Sequence, residues 1–189
     1  PSGNDFKLQT TGFTNGPSGD DALSSAIALP FNFSYYGTTY SSIFINTNGQ
    51  AAFDFGSSTA AQQRAPQTIP STTIPNTTIS LCWADLNATS GQIKYGTTGT
   101  SPNRIFVIDF NAVPFFSGGG TVTGQIQLFE TTNKIQIHVA SVTTSTASKT
   151  LGIENAGGKV LLFSASNNIR IMLKAGKVID YIRKEKIQL

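Results

Sequence analysis

The chain has 189 residues, long enough for one sizeable β-domain and too short to require two. Charged residues make up only 12%, half of the roughly 25% of an average soluble protein, and Ser, Thr, Asn and Gly fill the gap. The formal charge of +3 comes from Arg170, Lys174, Lys177, Arg183, Lys184 and Lys186 near the end, and no basic face interleaved with aromatics precedes them. That excludes a nucleic-acid partner as the working expectation. Cys82 is the single cysteine, so no intrachain disulfide forms, and no 18-residue apolar run is present to span a membrane as a helix.

In chain order, residues 1–25 carry four Gly and little period, which predicts a loop-rich arm with one edge strand near Phe6 to Leu8. From Leu29, Phe31, Phe33 and Tyr35 alternate with Asn32, Ser34 and Tyr36, the period-2 pattern of a half-buried strand. A second alternating run, Tyr40 to Asn46, leads into Asn48-Gly49, a tight-turn signal with positive φ, and then Ala51 to Phe55. Residues 56–78 show neither period and predict a long surface excursion, a feature often tied to function.

Thr78 to Trp83 follows as a buried strand, with Cys82 a small hydrophobe and Trp83 filling a core. Gln92 to Tyr95 comes next. Arg104 to Phe110, apolar on both faces, predicts a central strand. Beyond Gly118-Gly119-Gly120, Thr121 to Glu130 and Lys134 to Val139 form a hairpin, with Ile135, Ile137 and Val139 facing in and Lys134, Gln136 and His138 facing solvent. Thr150 to Glu154, Lys159 to Phe163 and Asn168 to Leu173 add strands. About ten or more short strands at this spacing predict an all-β, antiparallel β-sandwich, jelly-roll-like, with little helix. The domain expectation is one unit: an arm at 1–25, a sandwich at 26–177, and a basic strand or tail at 178–189 able to add to a neighbour's sheet edge.

Several motifs then resemble a known module. Leu29-Pro-Phe-Asn-Phe-Ser-Tyr-Tyr-Gly37, Ile43-Phe-Ile-Asn-Thr-Asn-Gly49, Phe53, Trp83-Ala-Asp-Leu86, Thr97 to Arg104, Gln125-Ile-Gln-Leu-Phe-Glu130 and Leu151-Gly-Ile-Glu-Asn155 resemble, in this order, a β-sandwich module of large secreted and surface proteins of bacteria. The likeness to the nidogen-type extracellular module is more distant. The resemblance covers about Ala26 to Gly158 and implies a secreted or cell-surface location and a binding or spacer role, with no catalytic set.

Candidate chemistry is sparse. His138 is the only histidine, so a Cys82–His138 dyad and a zinc site both lack members. Asp54, Asp85, Asp109, Glu130 and Glu154 could supply the two carboxylates of a glycosidase, with Asp85 and Glu130 the first pair to test. Arg104 pairs with Glu130 or Asp85. Calcium could be held by Asp20 and Asp21, or by Asp85 with Asn87, although no Asp-x-Asp-x-Asp loop is present; no other cofactor is expected. Tyr36, Tyr40, Phe115 and Phe116 could stack on a pyranose. The sequons at Asn32, Asn76 and Asn87 are of a kind that arises by chance in such a composition. The leading expectation is a non-catalytic binding or adhesion module for a glycan or surface protein. Its alternatives are a structural subunit of an extracellular assembly and a two-carboxylate hydrolase.

Overall fold

The computed structural model describes residues 8–10, 12–56, 63–143, 146–159, 169–173 and 178–179, the last two stretches as backbone only. It is a β-sandwich, with fourteen strands among the described residues and no α-helix. Phe6 and Lys7 of the predicted strand Phe6 to Leu8, most of Lys159 to Phe163 and nearly all of 178–189 fall outside the described residues.

Two short strands, β1 (Thr14–Asn15) and β2 (Gly19–Asp20), lie in the predicted arm and were not legible there. The first long meander is β3 (Ile27–Tyr35), β4 (Thr38–Asn46), β5 (Gln50–Ala52) and β6 (Thr78–Trp83). After β7 (Asn87–Ala88), the second is β8 (Ile93–Thr98), β9 (Ile105–Pro114), β10 (Thr121–Phe129) and β11 (Ile135–Val142). Then β12 (Thr150–Ile153) returns to the first meander, while β13 (Ile169–Leu173) and β14 (Val178–Ile179) extend the second.

The sheets have the orders β12-β6-β5-β4-β3 and β1-β8-β9-β10-β11-β13-β14, with β2 and β7 forming a separate pair. All pairings are antiparallel except β11 with β13, which is parallel and departs from the purely antiparallel expectation.

The alternating positions do what their period predicts. Phe31, Phe33 and Tyr35 from one sheet meet Phe106, Ile108, Phe110, Ile126, Leu128 and Ile137 from the other in a single core. Burying each such side chain contributes about 1.5–3 kcal/mol relative to leaving it exposed. Close approach is set at Gly124, where a bulge interrupts β10 and an added Cβ would lie 2.3 Å from His138 O and 3.0 Å from a Leu81 methyl of the facing sheet.

One prediction is corrected and two are made more exact. Gln136 and His138 do point away from the core, but both are buried, since that outer face is covered rather than solvated. Trp83 is buried without joining the inter-sheet core. Leu81 and Cys82 both aim their N–H groups at Gly49 O (3.0 and 3.4 Å), a β-bulge that shifts the register against β12. After it Cys82, Ala84 and Leu86 face in, and Trp83 is turned outward beneath the excursion, where its Nε1 donates to Gln63 O. Finally, the turn after β4 spans three residues, 47–49, since Asn46 pairs with Gln50; Gly49 alone takes the left-handed conformation (φ +81°).

A methyl group at Gly49 would lie 2.1 Å from Cys82 O, in a conformation that already disfavours side chains. Gly49→Ala is therefore expected to cost at least about 2 kcal/mol, read as a lower urea midpoint at unchanged slope. A loss under about 0.5 kcal/mol would contradict this packing.

Candidate functional site

Three loops converge at one end of the sandwich: the 47–49 turn, the 84–86 segment after β6, and the 115–120 connection between β9 and β10. Asn48, fully buried, joins the first two. Its Oδ1 accepts from Leu86 N (2.8 Å), its Nδ2 donates to Asp21 Oδ1 (2.7 Å), and its carbonyl accepts from Ala84 N (3.2 Å). Its own N–H donates to Asn46 Oδ1 (2.6 Å), and the Asn46 amide continues the chain to Gln63 Oε1. Thr47 holds the arm alongside: Thr47 N donates to Ala22 O (2.9 Å) and Ala22 N donates to Thr47 Oγ1 (2.8 Å).

The result is an acidic corner. Asp20, Asp21 and Asp85 each place a carboxylate oxygen within 4.8 Å of the others. Asn87 is the direct cross-strand partner of Asp20 in the β2–β7 pair, so the two candidate pairs of the sequence become one group. Arg64 Nη1, 3.7 Å from Asp21 Oδ2, supplies a partial counter-charge from a largely exposed side chain. Desolvation, then the charges of Asp21 and Asp20, push the Asp85 carboxyl above its ordinary range, with Arg64 pulling the other way. All four donors are oxygen groups, the chemistry that suits a hard cation such as calcium.

The third loop brings an aromatic to this corner. Phe116 N donates to Asp85 O (2.9 Å), and Phe115 bridges to Leu86. Phe116 is 55% exposed, and no other aromatic stands among the exposed large apolar side chains of the described residues.

The other three aromatic candidates are committed elsewhere. Phe115 is buried, with Lys149 Nζ over its ring at 5.3 Å, so its ring is not free to stack on a pyranose. Tyr40 stacks on Phe53 at 4.7 Å, and Tyr36 meets Tyr35 edge-on at 4.6 Å, so both belong to an aromatic cluster at the opposite end. Tyr36 and Tyr40 therefore cannot form one platform with Phe116.

That opposite end carries the remaining candidates. Arg104 grips Glu130 through Nε and Nη2 (2.8 and 2.6 Å), so of its two possible partners it takes Glu130. This bond, aided by Ser101, holds the Glu130 carboxyl down at about 2. The nine residues of β10, about 30 Å of strand, separate Glu130 from the loop that touches Asp85. A two-carboxylate glycosidase needs about 5–9.5 Å, so this pair cannot work together. Asp109 lies on the outer face of the larger sheet, bonded to Gln125 Nε2 (2.7 Å).

Glu154 is fully buried beside Tyr35 and Tyr36 and accepts from Ser71 N (3.0 Å). Asn76, with its amide nitrogen turned inward, donates to Glu154 Oε1 (3.2 Å) and to Ser71 O (3.0 Å). Desolvation raises the Glu154 carboxyl above its ordinary value.

A family model described as NIDO related matches residues 2–178. The chain belongs to the NIDO-related family. Searches of curated proteins and of solved structures returned no significant match. Membership of this family points to an extracellular domain. No helix among the described residues of this NIDO-related chain is long and apolar enough to cross a membrane.

The two glutamates predict opposite pH responses. Glu130, lowered, adds stability that is present above pH 4.5 and lost as pH falls toward about 2. Glu154, raised, binds its proton more tightly in the folded state; its contribution is full below pH 4.5 and is lost as pH rises through the folded value. Between pH 4.5 and neutrality, the melting temperature of Glu154→Gln should therefore rise relative to wild type. A constant difference across that range would contradict the burial of a charged Glu154.

Proposed function

We propose that this NIDO-related domain is a non-catalytic extracellular module, secreted or displayed at a cell surface, that binds glycans at the Phe116 corner. The observation that carries this reading is the backbone hydrogen bond from Phe116 N to Asp85 O, which joins the loop of the exposed ring to the segment that bears one of the three acids. A pyranose has an apolar C–H face and a rim of hydroxyls. Phe116 offers an aromatic surface to the first, while Asp20, Asp21, Asp85 and Asn87 offer acceptors and an amide to the second.

Calcium has a natural place in this reading, as an ion held by the carboxylates that itself coordinates sugar hydroxyls. The motifs shared with modules of large bacterial surface proteins support adhesion as the biological setting. A surface protein, recognised through the same ring and carboxylates, is the other partner class. The wide separation of Asp85 from Glu130 supports a binding role over the hydrolase.

A glycan array probed with wild type and Phe116→Ala tests the proposal. Because Phe116 is exposed, its loss should leave the fold intact and weaken binding at least about tenfold, equivalent to about 1.4 kcal/mol. Loss of binding in EDTA and its return with calcium would assign the acids to a bridging ion; indifference to EDTA would assign them to direct contact. An array without hits would overturn the glycan class, and equal binding by Phe116→Ala would overturn the location.

A further inference from the structure

Residues 67–71 of the surface excursion are laid along β12 in steps of two. Thr150 Oγ1 donates to Gln67 O (2.6 Å), an added Cβ at Gly152 would lie 2.8 Å from Ile69 Cδ1, and Ser71 N donates to Glu154 Oε2 (3.0 Å). Ile153 faces the core, so Glu154 and its alternate neighbours face outward toward the excursion. The turn after β12 closes on the same segment, since an added Cβ at Gly158 would lie 1.8 Å from Ser71 O. Asn76 stands where these pieces meet.

The Asn76 carboxamide has two orientations of nearly the same shape, and each bonds a different set of neighbours. With Nδ2 turned inward it donates to Glu154 Oε1 (3.2 Å) and Ser71 O (3.0 Å). Turned over, Nδ2 donates to Ala156 O (3.3 Å), and Oδ1 takes the inward place against Glu154 Oε1. An ionised carboxylate only accepts, so it repels Oδ1 there. A protonated carboxyl has an O–H to donate to it.

Nothing around Glu154 fixes it in the ionised state. It is fully buried, and no ion pair among the described residues includes it. From β3 and the turn after it come the Tyr35 hydroxyl, which donates to Glu154 O (3.0 Å), and the Tyr36 hydroxyl. Residues 65–77 of the excursion carry no titratable side chain. Asp54, whose N–H donates to Thr77 Oγ1 (3.1 Å), and Lys159, at the end of the turn after β12, are both exposed. Desolvation holds the Glu154 carboxyl above its ordinary value of 4.5, so the acid form persists where an exposed glutamate is ionised.

From the two bonding schemes around one buried acid, we infer that Glu154 and Asn76 form a proton-operated amide switch. With the proton on, Glu154 Oε1–H donates to Asn76 Oδ1, and Nδ2 holds the turn at Ala156 O. When the proton leaves to solvent, the amide turns over, and Nδ2 holds the carboxylate and the excursion at Ser71 O. A rise in pH thus moves one grip from the turn after β12 to the excursion. The inference is independent of the glycan reading, because none of these residues belongs to the Phe116 corner.

NMR of the full chain across the Glu154 titration, with neutron diffraction from deuterium-exchanged crystals below and above its midpoint, tests it. The Asn76 side-chain amide should titrate with the same midpoint as Glu154 Cδ. Neutron maps, which separate nitrogen from oxygen and show deuterons, should place a deuteron on Glu154 Oε1 and Asn76 Nδ2 toward Ala156 O at the lower pH. At the higher pH Glu154 should carry none, and Nδ2 should face inward. Glu154→Gln, whose NH2 stands in for the O–H, should lose the Asn76 titration and keep the low-pH orientation throughout. One Asn76 orientation on both sides of the midpoint would overturn the inference, and the wild-type comparison decides this even if Glu154→Gln misfolds. So would an Asn76 amide that still turns over with pH in Glu154→Gln.

Discussion

The buried carboxamide of Asn48 is the constraint on which the functional end of the molecule depends. An amide has a fixed inventory of donors and an acceptor oxygen, and leaving one unpaired in the interior costs about 1–3 kcal/mol. Asn48 meets that demand by bonding to Leu86 N on one side and Asp21 on the other, while its backbone holds Ala84 and Asn46. Segments that are remote in sequence are thereby fixed to one another. Gly49 completes the device, because only a residue without a side chain can pass the Cys82 carbonyl so closely.

The two ends of the sandwich are consequently different in kind. At the Asn48 end, backbone amides and carboxamides assemble three carboxylates, and the loop joined to Asp85 carries one exposed ring. At the other end, Phe53 gathers Phe33, Tyr35 and Tyr40, while Arg104 and Glu130 neutralise each other. Apolar and paired groups close that end, whereas the Asn48 end keeps like charges together, and desolvation first, then the charges of Asp21 and Asp20, raise the Asp85 carboxyl. Clustered acids on a loop beside that of an exposed ring suit a binding surface, and a purely structural end would avoid them.

Much of the fold was legible because the period-2 signal depends on burial alone. Phe31, Phe33 and Tyr35, and later Ile135 and Ile137, face the core as their alternation dictates. The same signal says which side a residue takes but not what covers that side, so His138 and Gln136 were placed in solvent although their face is covered. Period also fails across a bulge, which is why Trp83 lies outside the core that its neighbours Cys82 and Ala84 join. Asp20, Asp21, Asp85 and Asn87 were recognisable as hard-oxygen donors, yet only the β2–β7 pairing and the Asn48 bridge reveal that they share one corner. Phe115 and Phe116 are identical in type, and only the bridge from Leu86 to Phe115 decides which ring is buried. The two hydrogen bonds between the Gln125 side chain and the Gln9 backbone had no signal in the sequence, since the two residues are 116 positions apart.

The most direct test of this account is native-state hydrogen exchange at the Leu86 amide, the group that Asn48 Oδ1 accepts. If Asn48 is the bridge, this loop amide should exchange as slowly as the core-strand amide of Ile126, and in Asn48→Ala it should become fast while Ile126 stays protected. Rapid exchange at Leu86 in the wild-type protein would contradict the bridge, and with it the assembly of the acidic corner.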